Sequence, residues 1–155
     1  MSLPINIPSL PPQAAAADAL YRCVLGLDTN DLSLFRSAWL PSPHEVTFTM
    51  DDDTTTGLEA LCSGMFKFIG PLETLHCISN VRVDVEEGGS EARVYAYAVA
   101  HHFRPGDGMD PSEKGLVSGS RYELDVVRDE DGLWKVKDWR MRIVWIEGDR
   151  SIVGK

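Results

Sequence analysis

Residues 91–108 read EARVYAYAVAHHFRPGDG, and the first thirteen of them alternate as a β-strand does. One face carries Ala92, Val94, Ala96, Ala98, Ala100 and His102. The other carries Arg93, Tyr95, Tyr97, Val99, His101 and Phe103. Tyrosines and a histidine set among apolar residues suit the wall of a small-molecule pocket, greasy with a few polar handles. The reading is therefore that Tyr95, Tyr97, Val99 and His101 face a cavity. The small-residue face lets another layer come close, and the expectation is that it packs on a second subunit through the outside of the sheet. A strand this long exceeds the usual five or six residues and predicts a long, bent sheet.

Working outward, three more stretches alternate in the same way: residues 74–85, with Val81, Val83 and Val85 on one face, 116–128 (LVSGSRYELDVVR) and 133–145 (LWKVKDWRMRIVW). Glu86-Glu87-Gly88-Gly89 and Asp129-Glu130-Asp131-Gly132 are turns between them. Residues 105–115, rich in Gly, Pro and charge, read as a flexible loop, either mobile or acting as a flap at the pocket mouth.

Before residue 74 the period becomes helical. Ala14, Ala17, Leu20, Tyr21, Val24 and Leu27 form one stripe, and Leu32, Leu34, Phe35, Ala38 and Trp39 a second. Leu58, Leu61, Cys62, Met65, Phe66 and Ile69 form a third, opened by the capping-box string Thr56-Gly57-Leu58-Glu59. Glu45–Met50 reads as a short strand and Asp51–Thr56 as polar loop. Helices followed by an antiparallel meander define an α+β domain. We expect three N-terminal helices packed on a strongly curved, mostly antiparallel sheet, with a cone-shaped pocket between the layers. Residues 1–12, with four prolines, form an arm, and 13–155 a single domain.

The 155 residues carry a net charge of −9 spread along the chain, which argues against nucleic acid and anionic membranes as partners. No apolar run approaches the length of a membrane span. Three widely spaced cysteines, Cys23, Cys62 and Cys77, form no zinc pattern and point to free thiols in the cytoplasm.

Several strings in order resemble the SnoaL-like and scytalone dehydratase-like families of the nuclear-transport-factor-two-like fold. They are Gly26-Leu27-Asp28 through Asn30-Asp31, His76-Cys77-Ile78-Ser79-Asn80, Ser120-Arg121-Tyr122-Glu123 and Asp131-Gly132-Leu133-Trp134-Lys135. The resemblance, over residues 13–147, implies a cofactor-free acid–base lyase or isomerase (dehydratase, isomerase or cyclase) acting on a cyclic small molecule of secondary metabolism. It implies His76 as general base, Asp28 as the carboxylate that orients it and His101 as a second pocket histidine. The family's pocket asparagine falls on Glu123, or on Tyr122 if the alignment slips by one. Tyr95, Tyr97, Val99, Trp139, Met141 and Ile143 are the expected walls. Two tyrosines that polarise the substrate in the dehydratase have no phenolic match here, where Leu27 and Phe48 or Thr49 stand.

An aspartate beside a histidine fixes the imidazole tautomer and stabilises its cation, which suits proton abstraction next to a carbonyl. Asp28 could instead cap the second helix, and Glu123 could be a surface acid opposite Arg121 or Arg128. A two-histidine, one-carboxylate metal set of His76, His101 and Asp28 or Glu123 has no supporting short spacing, so no metal and no cofactor is expected. A non-catalytic binding or scaffold role is the alternative. The expected partners are a small-molecule substrate and further copies of the chain, as a homodimer or homotrimer.

Overall fold

The computed structural model describes residues 2–154. Helix α1 (Pro12–Asp28) opens with proline at its first position, where a missing N–H costs nothing. Helix α2 (Leu32–Ser37) follows, capped by the Asp31 side chain, which accepts from the Leu34 amide at 3.0 Å. Because Asp31 does the capping, Asp28 is left for other work.

Six strands make one sheet in the order β2-β1-β6-β5-β4-β3: β1 (Thr47–Met50), β2 (Asp53–Thr56), β3 (Glu73–Val85), β4 (Glu91–Phe103), β5 (Leu116–Arg128) and β6 (Trp134–Gly148). All neighbours are antiparallel except β1 with β6, so the sheet is mixed. The stretch expected as polar loop is in fact β2, half of a hairpin with β1 turning at Asp51, whose φ is +54°. Three threonines suit an edge strand even with no apolar alternation to announce it. Register shifts at Ser79/Arg82, Gly119/Ser120 and Asp125/Val126 kink β3, β5 and β6.

Helical residues 58–69, called α3, comprise a first turn Leu58–Leu61, a π-helical stretch Cys62–Phe66 and a last turn Lys67–Ile69. The capping box does not form. Gly57 precedes the helix at φ +94° without a side-chain cap, and Glu59 instead accepts two hydrogen bonds from Arg36, each 2.7 Å. A short 3-10 turn (Arg150–Val153) ends the described chain.

Helix α1 lies on the sheet, and the face of β4 beneath the helices is Ala92, Val94, Ala96, Ala98, Ala100 and His102, all buried. This reverses the expected orientation of β4. The close layer that the alanines admit is the chain's own Ala-rich helix, with Ala16, Ala19 and Leu20 fully buried in the same core. Tyr95, Tyr97 and His101 are exposed on the outer face, and Val99 is half-buried there. The small-residue face therefore cannot be the subunit contact. A second close approach joins the helices: a Cβ on Gly26 would stand 2.6 Å from the Phe35 backbone nitrogen, so only glycine lets α2 fold back on α1 here. Phe35, fully buried, stacks obliquely on Trp39 and Phe66 with ring centroids 6.2 and 5.3 Å away.

The β4–β5 loop is tied down rather than poised over the pocket. Glu73 accepts from the amides of Gly106 (2.9 Å) and Gly108 (2.8 Å), and Arg104 pairs with Asp149. None of residues 105–115 lines the cavity described next.

Candidate active site

Between the helices and the inner face of the sheet lies a cavity of about 710 Å³. Val24 and Leu27 of α1 and Met65 and Ile69 of α3 form its helical side. Phe48, Trp139, Met141 and Ile143 form apolar wall on the sheet side, and Tyr122, His76, His102 and Ser118 supply polar groups. Trp139, Met141 and Ile143 thus stand where the sequence placed them. They alternate with outward Arg140 and Arg142, and the cross-strand partner of Met141 is Tyr122.

Asp28, the last residue of α1, meets the start of β3 through one carboxylate. Its Oδ1 lies 2.6 Å from His76 Nδ1 and accepts from the Thr74 hydroxyl at 2.7 Å, while Oδ2 accepts from the His76 backbone amide at 2.9 Å. Both side chains of the pair are less than one tenth exposed. Burial alone would raise the Asp28 carboxyl. The hydrogen bonds and charge of His76, with the Thr74 hydroxyl, outweigh it and hold the group below its ordinary 3.8. With Nδ1 committed to the carboxylate, Nε2 is the nitrogen left for chemistry on a cavity-lining ring.

The second histidine of the cavity is His102, not His101. His101 is exposed on the outer face and takes no part. His102 is buried edge-on to His76, with ring centroids 5.5 Å apart, and its Nδ1 is enclosed without a hydrogen-bond partner among the described residues. Burial, helped by the nearby His76, pulls it from 6.5 down to about 4, so it is a neutral imidazole at neutral pH. Tyr122 is buried and its phenol pushed up by burial, so it remains a neutral hydrogen-bond donor.

Glu123 is the other misplacement. It points outward, half-exposed, to an ion-pair network with Arg140 (3.1 Å) and Arg93 (3.6 Å). Of the two alternatives at this position, Tyr122 faces the cavity. Tyr95, Tyr97 and Val99 do not line this cavity, for the reason that places His101 outside; Tyr95 and Tyr97 line a separate hollow on the outer face with Glu123 and Arg140. The metal set of His76, His101 and a carboxylate is not assembled, and the described residues hold no group of three or more His, Cys, Asp or Glu close enough to share an ion.

The same burial makes His102 a reporter of folding. The unfolded chain binds its proton near 6.5 and the folded one only near 4, so stability is full above 6.5 and falls as pH drops toward 4. The gap corresponds to about 3 kcal/mol. Asp28 acts in the same direction but only below the ordinary carboxylate value. In thermal melts taken between pH 7 and pH 4.5, His102→Leu is therefore expected to lose much less stability than the parent chain. Parallel curves for the two proteins would contradict this assignment.

The chain is 36% identical over 156 residues to terrestric acid biosynthesis cluster protein E of Penicillium crustosum, an alignment covering 99% of this chain and 97% of that one. Among solved structures it resembles a protein of Kribbella flavida (TM-score 0.74, 17% identity, 92% and 97% of the two chains). It also resembles the LinA-type3 hexachlorocyclohexane dehydrochlorinase of Novosphingobium barchaimii (TM-score 0.66, 16% identity, 89% and 90%) and a protein of Streptomyces avermitilis assigned as a dehydratase of the nuclear-transport-factor-two-like family (0.72, 16%, 85% and 96%). At these identities the structures share the fold. Residues 8–140 match the SnoaL-like domain, and the chain belongs to the SnoaL-like family.

Proposed function

We propose that the protein is a cofactor-independent lyase or isomerase that moves a proton on an apolar cyclic small molecule in secondary metabolism. The observation that carries this reading is the buried Asp28–His76 pair, 2.6 Å between Oδ1 and Nδ1, on the wall of an apolar cavity. Its relative's place in a biosynthesis cluster supports the metabolic setting. Nε2 of His76 takes a proton from a carbon next to a carbonyl, and Asp28 stabilises the imidazolium that forms. Tyr122 and the neutral His102 hydrogen-bond the oxygen on which negative charge develops. The proton then returns to a different carbon, giving an isomer, or leaves with a departing oxygen, giving an elimination.

The reading is tested by solvent-deuterium exchange into a bicyclic ketone such as 2-tetralone, followed by NMR. Catalysed exchange at the carbons flanking the carbonyl supports it. Exchange no faster than in buffer removes it and leaves a binding protein.

The setting proposed is cytoplasmic, in keeping with cysteines that form no disulfide; no described helix is long and apolar enough to cross a membrane. The reading also includes a homodimer or homotrimer through the outer sheet face, where Leu75, Tyr95, Tyr97 and Trp145 stand 40% to 66% exposed. Light scattering at micromolar concentration is expected to give a multiple of 17.2 kDa, reduced to one chain by Tyr97→Arg with Trp145→Glu. A parent chain already monomeric sinks the assembly.

A further inference from the structure

The cavity lining has an unusual charge pattern. The chain carries 24 acidic and 15 basic residues, yet no Asp or Glu lines the cavity; Asp28 sits behind His76. One basic residue does line it, Lys67, exposed and in no ion pair among the described residues. Lys67 follows directly on the π-helical stretch Cys62–Phe66. Ser63, Gly64, Met65, Lys67 and Phe68 all line the cavity, Ser63 with Lys67 and Gly64 with Phe68 standing four residues apart on one helix face. Ser63, Gly64, Lys67 and Phe68 are also exposed, so this segment forms the mouth. A Cβ on Gly64 would meet nothing within 4 Å, so the doorway is open at that point.

Taken with the proposed catalysis, on which this inference rests, we propose that the substrate is an apolar ring bearing a carboxylate. The ring sits against Phe48, Trp139 and Met141 with its reacting carbon at His76, and the carboxylate stays at the mouth on the Lys67 ammonium. A cation at the mouth of a greasy, acid-free cavity favours such a molecule over its neutral analogue through charge pairing and through the missing repulsion. It also fixes which end enters first.

The test uses a matched pair of probes, 2-naphthoate and the nearly isosteric 2-naphthamide, with dissociation constants measured by calorimetry at low and high salt. The parent chain is expected to bind the naphthoate about five-fold more tightly at low salt, the scale of one partly exposed charge pair, with the preference shrinking as salt rises. Lys67→Met abolishes the preference and Lys67→Glu reverses it, while both keep the affinity for the amide. His76→Ala keeps the preference, because it alters proton transfer and not the mouth. Equal binding of the two probes by the parent chain overturns the proposal, as does a preference unchanged in Lys67→Met. Ketone exchange separates the two readings: a naphthoate preference without exchange retains the ligand class and removes the catalysis, and exchange without a preference does the reverse.

Discussion

Replacing His76 by alanine is expected to lower the proposed deuterium exchange into 2-tetralone by roughly 10²–10⁴, the usual cost of losing a positioned general base. The fold survives, because His76 contributes a side chain to a cavity wall rather than to the packed core around Phe35. Asp28→Asn costs less. The amide keeps one oxygen to receive the Nδ1 proton, but it turns an NH2 toward the His76 backbone N–H and lacks the charge that stabilises the imidazolium. The order expected from NMR exchange rates is therefore parent, then Asp28→Asn, then His76→Ala. His101→Ala, which the sequence alone would rank among the damaging changes, leaves exchange unaltered because the residue stands on the far side of the sheet. Full exchange activity in His76→Ala, with a folded circular dichroism spectrum, would show that the base lies elsewhere.

The largest effect on stability is expected at Phe35. It is fully buried, joins the rings of Trp39 and Phe66, and stands directly under Gly26. Phe35→Ala removes a ring from the place where α1, α2 and α3 meet, at a cost of about 3–5 kcal/mol. For a chain of this size that lowers the melting temperature on the order of 10 °C. Differential scanning calorimetry checks it, and a shift under about 3 °C would mean that the neighbouring rings close the hole. Gly26→Ala adds one methyl group to the same junction. It is expected to destabilise as well, because the atom in its way is backbone and has little freedom to yield.

These contrasts show what a strand's alternation can and cannot carry. The period of β4 was legible, and so were the other long strands and the helix positions, while the Asp28–His76 pair came only through the family resemblance. The direction of each face was not, because alternation is symmetric: exchanging the two sides leaves the pattern unchanged and moves every side chain across the sheet. Tyrosines looked like pocket wall and alanines like a subunit contact. The informative signal was the matching run Ala14–Ala17 at the start of α1, since two small-residue surfaces suit each other. His102 and Lys67 escaped for different reasons. His102 followed β4 to the wrong side, whereas Lys67 lies on the polar side of the apolar stripe of α3, where no hydrophobic period marks it as cavity lining.

The Asp28 carboxylate also has a mechanical role. Its three hydrogen bonds, to the Thr74 hydroxyl and to the amide and ring of His76, join chain positions 46 and 48 residues apart and fasten the end of α1 to the beginning of β3. The helix cannot lift from the sheet without undoing the Asp28–His76 pair, and the pair cannot form until the helix has docked. On the proposed function, partial openings of this protein are therefore silent chemically: a molecule whose α1 has come loose has no oriented base.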